Sequence, residues 1–386
     1  MYNTANCGIL LGGSVMLDTN QMEKIGKLGF GYMRLPRKGP AFDMKQINKM
    51  VDTFLDSGGT YFDAAYVYKG AEVALRETLV KRYPRENVQI ATKLPIQPDD
   101  SLDTLKERFN TSLERLGTDY VDFYLLHGIR SKLNKKAEEL GAWDYLSELK
   151  AKGLIRHMGF SFHAQPEELE EILSKHPEAE FVQLQINYHD WDDPDIQSRR
   201  LYEIARKYDM PIIVMEPLLG GLLAGSASPV SGILHGSNPN ASLASWALRF
   251  VAQLDGVFVT LSGMSSLEQL VDNLSTYADI KPLSNDERAV LDEALAALNS
   301  MPRIACTLCN YCTNDCPSKI RIPNLISIYN DYLVHNTKIN LDNNYRWVTR
   351  ISGKAGDCIA CRVCENACPQ NIEIVDTLAK ISALFE

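Results

Sequence analysis

Between residues 26 and 280 the chain switches repeatedly between two hydrophobic rhythms. Short β-rich apolar runs occur as KLGFGYM (27–33), TYFDA (60–64), VQIATK (88–93), VDFYLLH (121–127), IRHMGFS (155–161), FVQLQIN (181–187), PIIVME (211–216) and VFVTLSG (257–263). They read as strands. Between them lie amphipathic stretches such as MKQINKMVDTFLDSG, LDTLKERFNTSLERLG, PEELEEILSKH and DIQSRRLYEIARKY, which predict helices. Eight such alternations suit a closed barrel of parallel strands with the helices outside. An open doubly wound sheet is the alternative. It usually carries a G-x-G-x-x-G turn after its first strand, and LGFGYM lacks that spacing. The expected fold class is therefore α/β: a (β/α)8 TIM barrel over 21–300, an amino-terminal extension over 1–20, and a small domain over 301–386.

Size agrees with two domains, because 386 residues exceed the ~250–300 that one core usually serves. Hydrophobic residues make up 45% and charged residues 23%, which argues against a disordered or collagenous chain. A net charge of −9 is a poor footprint for nucleic acid or an anionic membrane, so neither partner is expected. No run approaches the ~20 apolar residues that span a bilayer. MYNTANCGILLGGSVML has no basic residue before its apolar run, so a secretory signal is not expected and a cytoplasmic location is.

The cysteines change the picture. Eight of the nine fall after residue 305, as Cys306, Cys309, Cys312, Cys316 and Cys358, Cys361, Cys364, Cys368. Each set reads C-x2-C-x2-C-x3-C-P, the second repeats the first at an offset of 52, and CPSKIRI (316–322) is answered by CPQNIEI (368–374). That is an internal duplication marking a separate small domain. Disulfides would need an oxidising compartment. Zinc usually takes two well-separated pairs, and a third cysteine crowds one ion. The run resembles the bacterial two-cluster ferredoxin pattern, in which the fourth cysteine of each run crosses to the other cluster. The expected cofactors are thus two [4Fe-4S] clusters, one on Cys306, Cys309, Cys312 and Cys368, the other on Cys358, Cys361, Cys364 and Cys316. The stretch IPNLISIYNDYLVHN (322–336) between the runs predicts a short helix. Cys7 stands alone and reads as an ordinary thiol.

A barrel places its chemistry where strands end. Asp63, Lys93, His127, Ser161, Gln185 and Asn187 fall there. Singly, each has a bland reading as a cap, a surface charge or a satisfied core group. Together they suggest a site. A phenol with a pKa near ~10 is a poor proton donor at neutral pH. A nearby ammonium favours its ionised form, and a carboxylate can hold that ammonium in place. Tyr68, Lys93, Asp63 and His127 would then protonate a carbonyl oxygen as hydride reaches its carbon, with Tyr66 a rival donor.

These residues resemble the aldo-keto reductase family, whose tetrad is Asp, Tyr, Lys and His on a (β/α)8 barrel, and in particular the branch with a ferredoxin-like carboxyl-terminal domain. The resemblance is carried by LGFGYMRLP, YFDAAYVYKGAE, IATKLP, RLGTDYVDFYLLHG, GLIRHMGFSFH, FVQLQINYHD, IVMEPLLGG and LSGMSSLEQLVDN. It implies a tetrad of Asp63, Tyr68, Lys93 and His127, the family separation of five selecting Tyr68 over Tyr66. It also implies nicotinamide contacts from Gly31, Tyr32, Met33, Ser161, Gln185, Met215, Pro217 and Leu218. Gly263, Met264, Ser265, Gln269 and Asn273 would hold the adenosine end. The chain departs from the family in three places. Ser161 is followed by Phe162 where the family has Asn, Met215 replaces the aromatic that stacks on the nicotinamide, and LSGMSSLEQ has no basic residue. A 2′-phosphate wants charge-assisted bonds, so NADH or relaxed selectivity is expected over strict NADPH use. The glycine-rich PLLGGLLAGSASPVSG (217–232) reads either as a mobile flap over the cofactor or as a linker.

Hydride carries two electrons and each cluster moves one, so a flavin would normally stand between them; no flavin motif is visible. The clusters could connect the barrel to a ferredoxin-type carrier, or act only as staples. The leading expectation is an oxidoreductase acting on a small-molecule carbonyl or alcohol with NAD(H) or NADP(H). The alternative is a redox sensor or electron-transfer protein without carbonyl turnover. Arg130, Lys132, Lys135 and Lys136 in 128–143, expected as a loop, could attract an anionic substrate or simply form a solvated charge run.

Overall fold

A computed structural model describes residues 25–225, 230–338 and 340–386. The extension over 1–20, Cys7 and part of the glycine-rich stretch lie outside the described residues. By compactness the chain divides into two units. The first runs to Ile186 and adds Gln197–Pro217 and Val251–Ile280; the second comprises Asn187–Ile196, Leu218–Phe250 and Lys281–Glu386. Among the described residues no helix is long and apolar enough to cross a membrane.

All eight expected strands form, as β1 (Leu28–Gly31), β4 (Tyr61–Asp63), β5 (Gln89–Pro95), β6 (Val121–Ile129), β7 (Ile155–Phe162), β8 (Phe181–Gln185), β9 (Ile212–Met215) and β10 (Val257–Ser262). They close into one barrel in the order β1-β10-β9-β8-β7-β6-β5-β4. Two short strands not foreseen, β2 (Arg37–Lys38) and β3 (Ala41–Phe42), pair as an antiparallel hairpin after β1. The helices obey their periodicity. Leu102–Leu116 buries Leu105, Phe109, Ser112 and Leu116, is capped by the Ser101 side chain, and ends on Gly117 at φ 67. Met44–Asp56 buries Ile47, Met50, Val51 and Phe54 behind an Asp43 cap. The segment expected as a loop over 128–143 instead contains the helix Ser131–Glu139, and a second helix, Ala142–Ala151, follows. Its lysines hid the amphipathic spacing.

Strand period places the chemistry. Successive side chains alternate faces, so each residue stands two places above a neighbour on the same face. Tyr61, Ala91, Phe123, Leu125, Phe181 and Ile213 belong to one buried cluster. Two residues further on, on the same faces, come Asp63, Lys93, Leu125, His127, Gln183 and Met215. An apolar plug thus fills the barrel beneath a polar mouth. Gly159 makes room for that plug, since a Cβ there would lie 2.4 Å from the Phe181 carbonyl oxygen.

The second unit has two apolar clusters. Leu219, Leu223, Val230 and Leu234 pack with Trp246 and Leu298 in one. The described part of the glycine-rich stretch is therefore built into a core. Gly220, at φ +67, lies so close to Thr307 that a Cβ would meet the Thr307 carbonyl oxygen at 2.6 Å. The other cluster gathers Ile320, Leu325, Leu341, Tyr345, Leu378 and Ile381 around the cysteine runs, with the expected helix present as Ile322–His335.

Candidate active site and cluster shells

Lys93 is 1% exposed at the centre of the barrel mouth. Its Nζ donates to Asp63 Oδ1 at 2.5 Å and to the Ala64 carbonyl oxygen at 2.8 Å. The same ammonium lies 5.3 Å from the centroid of the Tyr68 ring. Tyr68 in turn meets His127 edge-on, with centroids 5.9 Å apart at 84°. Burial pushes the Lys93 ammonium towards its neutral form, and the Asp63 carboxylate opposes that shift. His127 is held well below the usual imidazole range, first by burial and then by Lys93, His163 and Arg130. It is therefore a neutral hydrogen-bonding ring at physiological pH.

Tyr66 and Tyr68 lie in different surroundings. The Arg115 guanidinium sits 4.4 Å over the Tyr66 ring and donates to the Tyr66 carbonyl oxygen at 3.2 Å. Tyr68 alone of the two has its ring beside Lys93 and His127. Sequence reasoning missed Glu72, which is 2% exposed and accepts from Thr92 Oγ1 at 2.7 Å beside Lys93. Its signal was available in YKGAE. His163 was also missed; burial and Arg130 push it down to about 3. It follows Phe162, and its N–H donates to the Ile129 carbonyl oxygen at 3.0 Å, so it stands beside Arg130 at the strand ends.

The residues expected to hold a dinucleotide fall into distinct roles. Ser161 is buried and its Oγ accepts from the Gly128 N–H at 2.8 Å, leaving its hydroxyl hydrogen to be donated. Gln185 is buried at the end of β8. The Tyr32 ring turns into the core, with its Oη 2.9 Å from Thr78 Oγ1. Gly31 packs close to β10, for a Cβ there would meet the Ser262 carbonyl oxygen at 3.2 Å. Met33 and Met215 are half-buried; Pro217 is buried and Leu218 half-buried in the following segment. Gly263, Ser265 and Gln269 are exposed, and Met264 is buried. Ser265 N–H donates to Gln269 Oε1 at 2.7 Å, while Asn273 Nδ2 donates to Ser262 Oγ at 2.8 Å from a buried position. An unforeseen ion pair joins Arg34 and Glu216 at 3.3 Å. The Arg34 stem lies against Gly263, and the Arg34 carbonyl oxygen accepts from Ser265 Oγ at 2.7 Å.

The cysteines form two shells. Cys306, Cys309, Cys312 and Cys368 line one small cavity, with Thr307, Ile326 and Ile374. Cys316, Cys358, Cys361 and Cys364 line another. The backbone is duplicated with them. Leu308 and Asn310 have φ of 56° and 65°, Ala360 and Arg362 have 55° and 58°, and Lys319 and Asn371 have 53° and 52°. Left-handed residues are costly away from glycine, so their repetition at one offset marks a loop shape that is held in both copies. Four sulfur donors converging on one space in each shell suit a cubic cluster.

Two family models match. The Aldo/keto reductase family model covers residues 27–296. The chain belongs to the aldo/keto reductase family. A 4Fe-4S dicluster domain model covers residues 305–373. Among similar proteins, the aldo-keto reductase str7 of Strobilurus tenacellus is 31% identical over 52% of this chain and 60% of its own length. An aldo-keto reductase of Mycobacterium sp. (strain MCS) is 29% identical over 72% of this chain and 90% of its own. Among solved structures, an aldo-keto reductase from Bacillus halodurans in its holo form is 25% identical, with a TM-score of 0.56, over 69% of this chain and 91% of its own. This aldo/keto reductase is thus an oxidoreductase-family barrel joined to a ferredoxin-like iron–sulfur domain.

Proposed function

We propose that this aldo/keto reductase interconverts a small carbonyl compound and its alcohol with a nicotinamide cofactor, Tyr68 being the acid/base. The observation that carries the reading is the placement of one buried ammonium, Lys93, between the Asp63 carboxylate and the Tyr68 ring. The holo form of the Bacillus halodurans relative supports a bound cofactor. A nicotinamide, when bound, supplies hydride to the carbonyl carbon.

The chain's own residues then handle the proton and the geometry. Tyr68 gives its phenolic proton to the carbonyl oxygen. Lys93 favours the phenolate that remains, because a cation beside an ionised phenol lowers its energy. Asp63 keeps Lys93 charged against the cost of burial and aims it. His127, being neutral, hydrogen-bonds the oxygen and turns it toward Tyr68. Ser161 and Gln185 supply polar contacts for a carboxamide, and the Arg34–Glu216 pair joins the segments that follow β1 and β9. Arg34 is the basic group beside Gly263, and its guanidinium is engaged with Glu216. That supports NADH or relaxed selectivity.

The decisive experiment is turnover of a carbonyl panel with NADH and NADPH by anaerobically prepared protein, wild type against Tyr68→Phe. Full activity in the variant would refute the assignment. The two cysteine shells fit [4Fe-4S] clusters, and we take the second shell as the route to a one-electron carrier. Analysis of iron, sulfide and flavin in the same sample tests whether a flavin stands between clusters and nicotinamide.

A further inference from the structure

The cluster-bearing unit exposes apolar groups where a sealed domain would not. Eight large hydrophobic residues stand exposed among the described residues, and four lie within one short stretch: Trp347 at 67%, Ile351 at 61%, Ile359 at 66% and Val363 at 37%. Scattered single exposures need no explanation, but a group that includes an indole two-thirds in water does.

The stretch is one piece of structure. Leu341, Tyr345 and Val348 turn one face of helix Leu341–Thr349 into the core. Trp347 stands on the outer side of that helix, and Ile351 follows just past its end. The Tyr345 Oη accepts from the Ala355 N–H at 2.9 Å, which ties the helix to the segment entering the second cysteine run. Gly353 is bridged to Ile320, and Ile320 lines the same cavity as Ile359, Cys361 and Val363. Of the eight cluster cysteines, Cys361 is the exposed one. Ile359 and Val363 therefore line the cysteine shell that reaches closest to solvent, and Trp347 and Ile351 lie on the segment that leads into it.

Charge gives the patch a sign. From 346 to 363 the basic residues are Arg346, Arg350, Lys354 and Arg362, against Asp357 alone, in a chain of net charge −9. Arg346, Arg350, Lys354 and Arg362 are all exposed. One ion pair tempers this, Arg362 with Glu365 at 2.9 Å, and the Glu386 side chain adds a carboxylate that accepts from the Gly356 N–H at 2.9 Å. Arg346, Arg350 and Lys354 remain exposed cations, and Arg346 and Arg350 are the two on either side of Trp347 in the chain. An exposed indole flanked in the chain by Arg346 and Arg350, in the unit whose cysteine shell reaches solvent, suits an acidic redox protein.

We propose that the surface formed by Trp347, Ile351, Ile359 and Val363, with Arg346 and Arg350, docks an acidic ferredoxin-type carrier that exchanges one electron with the cluster held by Cys316, Cys358, Cys361 and Cys364. One electron leaves the reduced cluster of the carrier and enters this one; no bond and no proton moves. The proposal rests on the cysteine shells holding clusters, and it is independent of carbonyl reduction in the barrel.

The test uses the full chain with its clusters reconstituted anaerobically and an acidic bacterial ferredoxin as probe. Binding of the oxidised ferredoxin is measured by calorimetry, and electron transfer from the reduced form by stopped-flow absorbance. Between low salt and about 0.2 M salt, affinity and rate are expected to fall at least about tenfold, since screening removes the steering. The Arg346→Glu/Arg350→Glu variant should lose about tenfold or more at low salt and lose its salt dependence. Trp347→Ala should weaken binding while leaving the salt dependence in place. The electron paramagnetic resonance signals of all variants should match the wild type. The proposal is overturned by a wild type that neither binds nor accepts electrons at low salt, or that takes up no cluster. Wild-type binding and rates in both variants, with intact signals, overturn it equally. Nicotinamide-driven carbonyl turnover, followed in the same samples, should be the same in every variant; its absence from the wild type would count against the barrel reading alone.

Discussion

Lys93 and Asp63 meet at 2.5 Å with side-chain exposures of only 1% and 4%. Two opposite charges so far from water stand or fall together. Removing the cation in Lys93→Met leaves a buried carboxylate uncompensated, which is expected to cost about 3–5 kcal/mol of stability. Replacing both partners, as Lys93→Met with Asp63→Leu, should recover much of that loss while turnover stays absent. Denaturant titration and steady-state assays of the two variants separate the structural role from the chemical one. Activity in the double variant near wild type would remove Lys93 from the mechanism.

The two tyrosines give a sharper contrast. Tyr68→Phe is expected to lower kcat by about 10²–10⁴, the range for losing a positioned general acid, with little change in nicotinamide affinity. Tyr66→Phe should retain turnover, because its ring packs under Arg115. Comparable losses in both would mean that the ring environments do not decide the donor.

His127 and His163 make stability depend on pH with a definite sign. Both are held below the ordinary imidazole value of 6.5 in the folded chain, His163 at about 3. Below pH 6.5 the unfolded chain therefore binds protons that the folded chain refuses. Their contribution is fully retained above 6.5 and is lost progressively as the pH falls towards 3. Thermal melts from pH 7.5 to 5 should show Tm falling, and His163→Asn should flatten the lower part of that curve. A variant with an unchanged slope would remove His163 as a cause.

The crossing of the cysteine runs can be read spectroscopically. Cys368→Ser is expected to perturb the same cluster signal as Cys306→Ser, although the two residues lie in different runs. Cys316→Ser should instead perturb the signal that Cys358→Ser perturbs. Iron content and electron paramagnetic resonance of the four variants check this pairing. If Cys368→Ser and Cys358→Ser alter one common signal, each run serves its own cluster.

Cofactor choice follows from the adenosine-end segment. Gly263–Gln269 carries no cation of its own, and Arg34 beside it is engaged by Glu216. Dissociation constants for NADH and NADPH are expected to lie within about tenfold of each other, because no free guanidinium or ammonium on that segment awaits a 2′-phosphate. A preference for NADPH of a hundredfold or more would show that Arg34 leaves Glu216 when the cofactor binds.

Much of this was legible in the chain because the signals are periodic. Eight apolar runs became eight strands, and helices such as Leu102–Leu116 follow their 3.6-residue spacing between a Ser cap and a Gly stop. What escaped was short or masked. The β2–β3 hairpin is too brief for a pattern, and Ser131–Glu139 hides its buried Ala137 among lysines. Glu72 and His163 are single residues with no period at all. Glu72 is buried and His163 half-buried by neighbours distant in sequence.

The sequence by itself determined the barrel, the duplicated cysteine runs and the set of polar groups at strand ends, since spacing and alternation are local properties of the chain. Only the tertiary structure decided which of those groups meet. Lys93 reaches Asp63 because β4 and β5 are parallel neighbours, with Asp63 in register with Ala91 two places below. Tyr66 and Tyr68 are two residues apart, yet long-range packing sends one beneath Arg115 and the other to Lys93. The same holds in the cluster unit. The resemblance to two-cluster ferredoxins implied that Cys368 crosses to the first run and Cys316 to the second, and the folded loops set each beside three cysteines of the opposite run. Charge pairing, burial and the depressed imidazoles arise from contacts between residues tens of positions apart, and a linear pattern does not record those distances.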